Sequence, residues 1–190
     1  MLGYRMTMEP DLLEAKERLS RTEAGTRFIE AFKALQEKSG RLVPPRKELT
    51  LAIARPFVAY MSILEVLGPR TAIFRIIGTG HVSRTRMENT GKNWFDLADP
   101  LSHELHWQHF QRVLNTPCGC IGHYLEKYDK ALLVEAINFP FADNDGRPRF
   151  IVSTNVQLSL EDMLTRGDAS MVPGEVEPAA YIDIGAGIGE

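Results

Sequence analysis

The sequence predicts an α+β domain of five antiparallel strands, with a helical insert after the second strand and helices ahead of the first. Three observations carry this. Apolar runs at 63–67 and 71–77 flank Gly68-Pro69 and read as a hairpin. Residues 101–116 lie between Pro100 and Pro117, hold no proline or glycine, and read as a long helix. Runs at 121–126, 131–141 and 150–158 then read as a three-stranded meander, and Asp143-Asn144-Asp145-Gly146 is a tight-turn signal between the last two.

In chain order, residues 10–20 place Leu12, Leu13, Ala15 and Leu19 among charged residues, a one-sided pattern that predicts a short amphipathic helix. Ser20 and Glu23 have capping-box spacing, so a second helix is expected from there to about Lys38, with Gly40 as its stop. Its stripe of Phe28, Ile29, Phe32 and Leu35 suits packing on its own domain or a dimer contact, because both bury the same face. Pro44-Pro45 forces an extended linker. Residues 50–60, interrupted by Pro56, read as a short helix and turn, and the polar segment 82–89 is helix-compatible. Trp94-Phe95 is expected in the core. Residues 131–141 are apolar on both alternating faces, as in a central strand. In the last strand Phe150, Val152, Thr154, Val156 and Leu158 share one face; Ile151, Ser153, Asn155 and Gln157 share the other. A closing helical turn is expected at 160–166 and a loose tail at 167–190. The division this implies is an N-terminal helical extension (1–40), a central domain (41–160) and a C-terminal tail (161–190).

A length of 190 residues suits one core, and 44% hydrophobic with 25% charged residues is the balance of a soluble globular protein. The net charge of -3 gives no global attraction to phosphate backbones, so no nucleic-acid partner is expected. The first residues lack a secretory apolar core, and no run approaches the roughly 18 apolar residues that span a bilayer. Cytoplasmic placement with no membrane association is the expectation. The two cysteines, Cys118 and Cys120, are separated by one residue and are expected as free thiols.

A hairpin, short helices, a long helix and a three-stranded meander form the element order of a PAS domain. The chain from about Phe28 to Leu158 resembles the single-domain bacterial PAS proteins often called the PAS-5 type. The residues that carry this are Arg41-Leu42-Val43-Pro44, Phe74-Arg75-Ile76-Ile77-Gly78-Thr79, Asn89-Thr90-Gly91-Lys92 and the strand end Glu135 to Phe141. The resemblance implies a PAS-like five-stranded sheet with helices on one face, a ligand cavity between sheet and helix, and a role in signal transduction. It assigns no ligand.

Residues 101–116 carry His103, His106 and His109; His103 and His106 fall within the apolar arc of Trp107, Phe110, Val113 and Leu114, and His109 at its edge. The candidate ligand-binding residues are Phe74, Arg75, His106, Phe110, Cys120 and Glu135. No catalytic residue and no metal site is assigned, and the cofactor is unknown. Haem ligation by His106 competes with an ordinary core histidine. Zinc bound among His103, His106, Cys118, Cys120 and His123 competes with buried thiols and histidines. Arg75 and Glu135 are charges in apolar strands; each must pair or reach solvent, either with one another at the cavity wall or structurally.

The function expected is a sensory or regulatory module, not an enzyme. It would bind a small molecule, a regulatory protein, or both, and signal by protein contact, as a homodimer through the N-terminal helices. One alternative is a small cavity enzyme with His106 or His109 as general base, marked by a converging trio of histidine, carboxylate and hydroxyl. Another is a partner-binding domain without a ligand, whose core is filled.

Overall fold

The computed structural model describes residues 10–127, 131–159 and 180–188. Its centre is one antiparallel sheet in the order β2-β1-β5-β4-β3-β6. The strands are β1 (Met61–Gly68), β2 (Thr71–Ile77), β3 (Gly119–Lys127), β4 (Ala131–Ala142), β5 (Pro148–Gln157) and β6 (Ala180–Ile182). β1 and β2 form the expected hairpin, and β3 to β5 the expected meander, with β5 returning to pair with β1. Between β2 and β3 lie α4 (Thr79–Thr85) and α5 (His103–Asn115). This α+β order is the one the PAS resemblance implies.

Two features depart from that expectation. The sheet has six strands, because residues 180–182, expected in a loose tail, pair with β3 and bury Ile182. Helices also cover both faces of the sheet, not one. The sheet's apolar content explains this. In β4, Ile137, Phe139 and Phe141 point to one side and Ala136 and Asn138 to the other, so neither face can be left in water. The expected helical turn at 160–166 lies outside the described residues.

The first face is covered by α2 (Glu23–Ser39). Its stripe of Phe28, Ile29, Phe32 and Leu35 is buried against Phe139, Phe141 and Val152, in the larger of the two apolar clusters. Phe32 stacks on Phe139 with ring centroids 4.2 Å apart, and Phe28 meets the same ring edge-on at 5.3 Å. The stripe is therefore spent within the chain. Gly40 ends the helix at φ 63°, the left-handed stop expected there.

The start of α2 is not the expected box. Thr22 is the N-cap, its Oγ1 accepting from Gly25 N at 3.0 Å. Ser20 is drawn off to a buried carboxylate described below. The segment before it is shorter as an α-helix than its periodicity suggests. α1 (Leu12–Glu14) is capped by Asp11 and continues as a π-helical turn over Ala15–Leu19. The second apolar cluster joins Leu64, Ala72, Phe95, Phe110, Val113 and Ile151 on the α5 face.

Candidate functional site

On its second face the sheet does not pack fully against the helix. A cavity of about 670 Å³ remains between α5 and strands β1 to β6. Local sequence sets the helix side. Asp99 accepts from Leu101 N at 3.0 Å and Pro100 occupies the first position of a 3-10 turn that leads into α5. From there the helical spacing turns Phe110, Val113 and Leu114 inward, with His106 and His109 flanking them at the cavity. Trp94, from the turn before the helix, closes the wall. Its ring lies 4.4 Å from that of His106 and 5.4 Å from that of Phe110, edge to face in both cases.

The sheet side is polar. Strand alternation brings Ser62 from β1, Asn138 from β4, and Ser153 and Asn155 from β5 to the same surface. They are linked: Ser153 Oγ donates to Asn138 Oδ1 at 2.5 Å, and Tyr124 Oη donates to Asn155 Oδ1 at 3.2 Å. The Asn155 amide reaches Ser62 Oγ at 3.5 Å. None of the described side chains lining the cavity is Asp, Glu, Lys or Arg.

The histidines are shifted toward their neutral forms. Burial, then the neighbouring His103, holds His106 below the ordinary histidine range. Burial, with smaller contributions from His106 and Arg112, pushes His109 down to about 4. Tyr181 of β6 sits 3.2 Å from His109 Nδ1, and burial raises its phenol. Both are thus neutral near pH 7. The hydroxyl and Nδ1 share one hydrogen bond whose direction follows the imidazole tautomer. Arg112 lies 4.1 Å over the Tyr181 ring and fixes its other side. Burial pushes the Cys120 thiol up to about 12.

Of the six residues expected at a ligand, Phe74, His106, Phe110 and Cys120 line this cavity. Arg75 and Glu135 do not, and they do not meet one another. Arg75 pairs with Glu65 at 2.6 Å on the partly exposed hairpin. Glu135 is 1% exposed and lies beneath the start of α2. Its carboxylate accepts from Arg21 N at 2.5 Å, Thr22 Oγ1 at 2.5 Å and Ser20 Oγ at 3.4 Å, and His123 Nε2 stands 3.3 Å away. Burial of an isolated carboxylate is costly, and these donors answer it.

Of the zinc set, His106, Cys120 and His123 line the α5 cavity, with His123 Nε2 engaged by Glu135 at 3.3 Å. Among the described residues no group of three or more metal-ligating side chains is placed to hold an ion. The ring of His106, the haem candidate, packs on Trp94, and no described lining side chain is Lys or Arg to face haem propionates. Among the described lining residues no carboxylate joins His106 or His109; the lining histidine that meets one is His123, with Glu135.

Sequence reasoning missed the sheet-side polar set and Tyr181. Ser153 and Asn155 were visible as one face of an alternating strand, and the signal was their polarity opposite an apolar face. Tyr181 had no local signal, since it acquires its place only by pairing with β3.

The fold is PAS-like on its own connectivity. No known family model matches the chain, and no curated protein matches it. Among solved structures it is similar to an RNA-binding Light-Oxygen-Voltage receptor, with 15% identity, a TM-score of 0.42, and coverage of 64% of this chain. The match spans 37% of that receptor's chain. It is also similar to a sensory box sensor histidine kinase from Vibrio cholerae, with 13% identity, a TM-score of 0.40, and coverage of 60% of this chain and 94% of that one. Among the described residues no helix is long and apolar enough to cross a membrane.

Proposed function

We propose that the chain is a sensory or regulatory module that binds a small molecule between α5 and the sheet and signals by contact with another protein. The observation that supports this is the cavity itself. A volume of about 670 Å³ with an aromatic wall and a row of amides and hydroxyls has the make-up of a ligand site, whereas a purely partner-binding domain would have a filled core.

The same sheet supplies a route for the signal. Along β4, Asn138 faces the cavity while Ile137 and Phe139 on either side pack under α2. A ligand that favours one sheet geometry over another biases the seating of α2 to the same extent. The apolar stripe of α2 is used inside the chain, so its outward charged face, with Glu23, Arg27 and Glu30, is the surface offered to a partner. The test is mass spectrometry and an absorption spectrum of the purified protein, followed by ligand titration with Phe110→Ala as control. A retained or added small molecule whose binding falls in the variant supports the reading. Binding unchanged by the variant places the ligand elsewhere and refutes it.

A further inference from the structure

The charge balance of the cavity narrows what it can hold. An anionic ligand would need Lys, Arg or a cationic histidine, and a cationic one would need a carboxylate; the described lining offers no Lys, Arg, Asp or Glu. Histidine does not make up the difference. Four histidines line the cavity. Burial biases His106 and His109 to the neutral form, and His109 Nδ1 is engaged by the Tyr181 hydroxyl. His81 Nδ1 lies 3.0 Å from the Arg84 guanidinium, which can only donate, and His123 Nε2 meets the Glu135 carboxylate at 3.3 Å, which would match any charge on that ring. The sheet-side groups, by contrast, suit a neutral partner with mixed character. An asparagine amide offers acceptor and donor side by side, and a hydroxyl does both, so Asn138, Ser153 and Asn155 match an edge that itself both donates and accepts. Opposite them, Trp94 and Phe110 stand edge to face and present ring surface to whatever lies between. The rim is apolar as well as uncharged. Met87, Leu97 and Leu105 line the cavity while remaining 40%, 45% and 68% exposed.

We infer that the cavity takes an uncharged planar ring bearing a donor–acceptor edge of the carboxamide, lactam or ureide type, and excludes the corresponding carboxylates and amines. The edge lies along Asn138, Ser153 and Asn155, and the ring lies against Trp94 and Phe110. This rests on the proposed role of the cavity as the ligand site and adds the chemical class of the ligand.

The experiment titrates the full-length protein at pH 7.5 with three matched probes: naphthalene-2-carboxamide, naphthalene-2-carboxylate and 2-(aminomethyl)naphthalene. Backbone amide shifts of Asn138 and Asn155 report the site. The carboxamide is expected to bind at least about tenfold more tightly than either charged probe, because the charged groups lose water without a counter-charge. Carboxylate or amine binding as tight as the carboxamide, with shifts at those same amides, overturns the ligand class and leaves the cavity reading standing. If none of the three moves those amides, the cavity reading falls and the class falls with it. The variant Asn155→Leu, checked for an unchanged circular dichroism spectrum, is expected to weaken the carboxamide about tenfold while naphthalene itself binds as before. A loss under twofold, or an equal loss for naphthalene, overturns the role of the amide edge.

Discussion

Replacing Glu135 with alanine is expected to destabilise the protein by about 4 kcal/mol. The carboxylate is 1% exposed and gathers Arg21 N, Thr22 Oγ1, Ser20 Oγ and His123 Nε2. Alanine removes the common acceptor and leaves these donors in a site that water does not reach. Breaking a buried charged pair costs roughly 3–5 kcal/mol, and each orphaned donor about 1–3 kcal/mol. The contributions are not additive, because Thr22 retains its cap on Gly25 and the serine hydroxyl can rotate. Against a typical total of about 5–15 kcal/mol, a loss of this size lowers the melting temperature by roughly 10 °C for a chain of this length. Urea denaturation followed by circular dichroism measures the free-energy change. Hydrogen exchange should localise the effect to the first turns of α2, whose N-terminus the carboxylate holds to β4. A loss below about 1 kcal/mol, or exchange unchanged at the start of α2, would refute the argument that this cluster fastens the helix to the sheet.

Phe139→Ala is expected to cost about 3–5 kcal/mol, since it empties the site on which Phe32 and Phe28 pack; chemical denaturation measures it. Gly25→Ala should also destabilise, because a Cβ there would collide with the Glu135 carboxylate and the Ile137 side chain, and thermal unfolding will show the drop. Lowering the pH should weaken the fold through His109. Its pKa is about 4 in the folded state against 6.5 unperturbed, so stability is complete above about 6.5 and is lost as the pH falls toward 4. The loss is about 3–4 kcal/mol, from roughly 1.4 kcal/mol per pH unit over the interval between the two values. His109→Gln should flatten that part of the pH–stability curve. Cys118 and Cys120 are buried, and burial pushes the Cys120 thiol up to about 12, so neither should react with iodoacetamide at pH 8 until the chain is unfolded.

How far the sequence reveals this architecture depends on the range of the interaction. Elements whose signals are local were legible: the hairpin about Gly68-Pro69, the stop at Gly40, the turn at 143–146, and the alternation of β5. In that turn Asp143 Oδ1 accepts from both Asp145 N and Arg147 N, the local chemistry its composition suggested. Ser20 shows the limit. Its spacing to Glu23 is that of a capping box, but Glu135, more than a hundred residues later, competes for the hydroxyl and the helix begins from Thr22 instead. β6 shows it again, since three residues form a strand only when an edge is waiting for them. Of the residues expected at a ligand, Phe74, His106, Phe110 and Cys120 line the cavity. Arg75 and Glu135 were chosen because embedded charges attract notice, and the structure places both in ion-pair or hydrogen-bond clusters, Arg75 with Glu65 and Glu135 behind the lining histidine His123.

The most direct test of the central claim is a crystal structure of the protein soaked with a neutral aromatic carboxamide such as naphthalene-2-carboxamide. The account predicts density between α5 and the sheet, with the ring against Trp94 and Phe110 and the amide within hydrogen-bond reach of Asn138 or Asn155. A cavity filled by the protein's own side chains, or probe bound only on the outer surface, would contradict it.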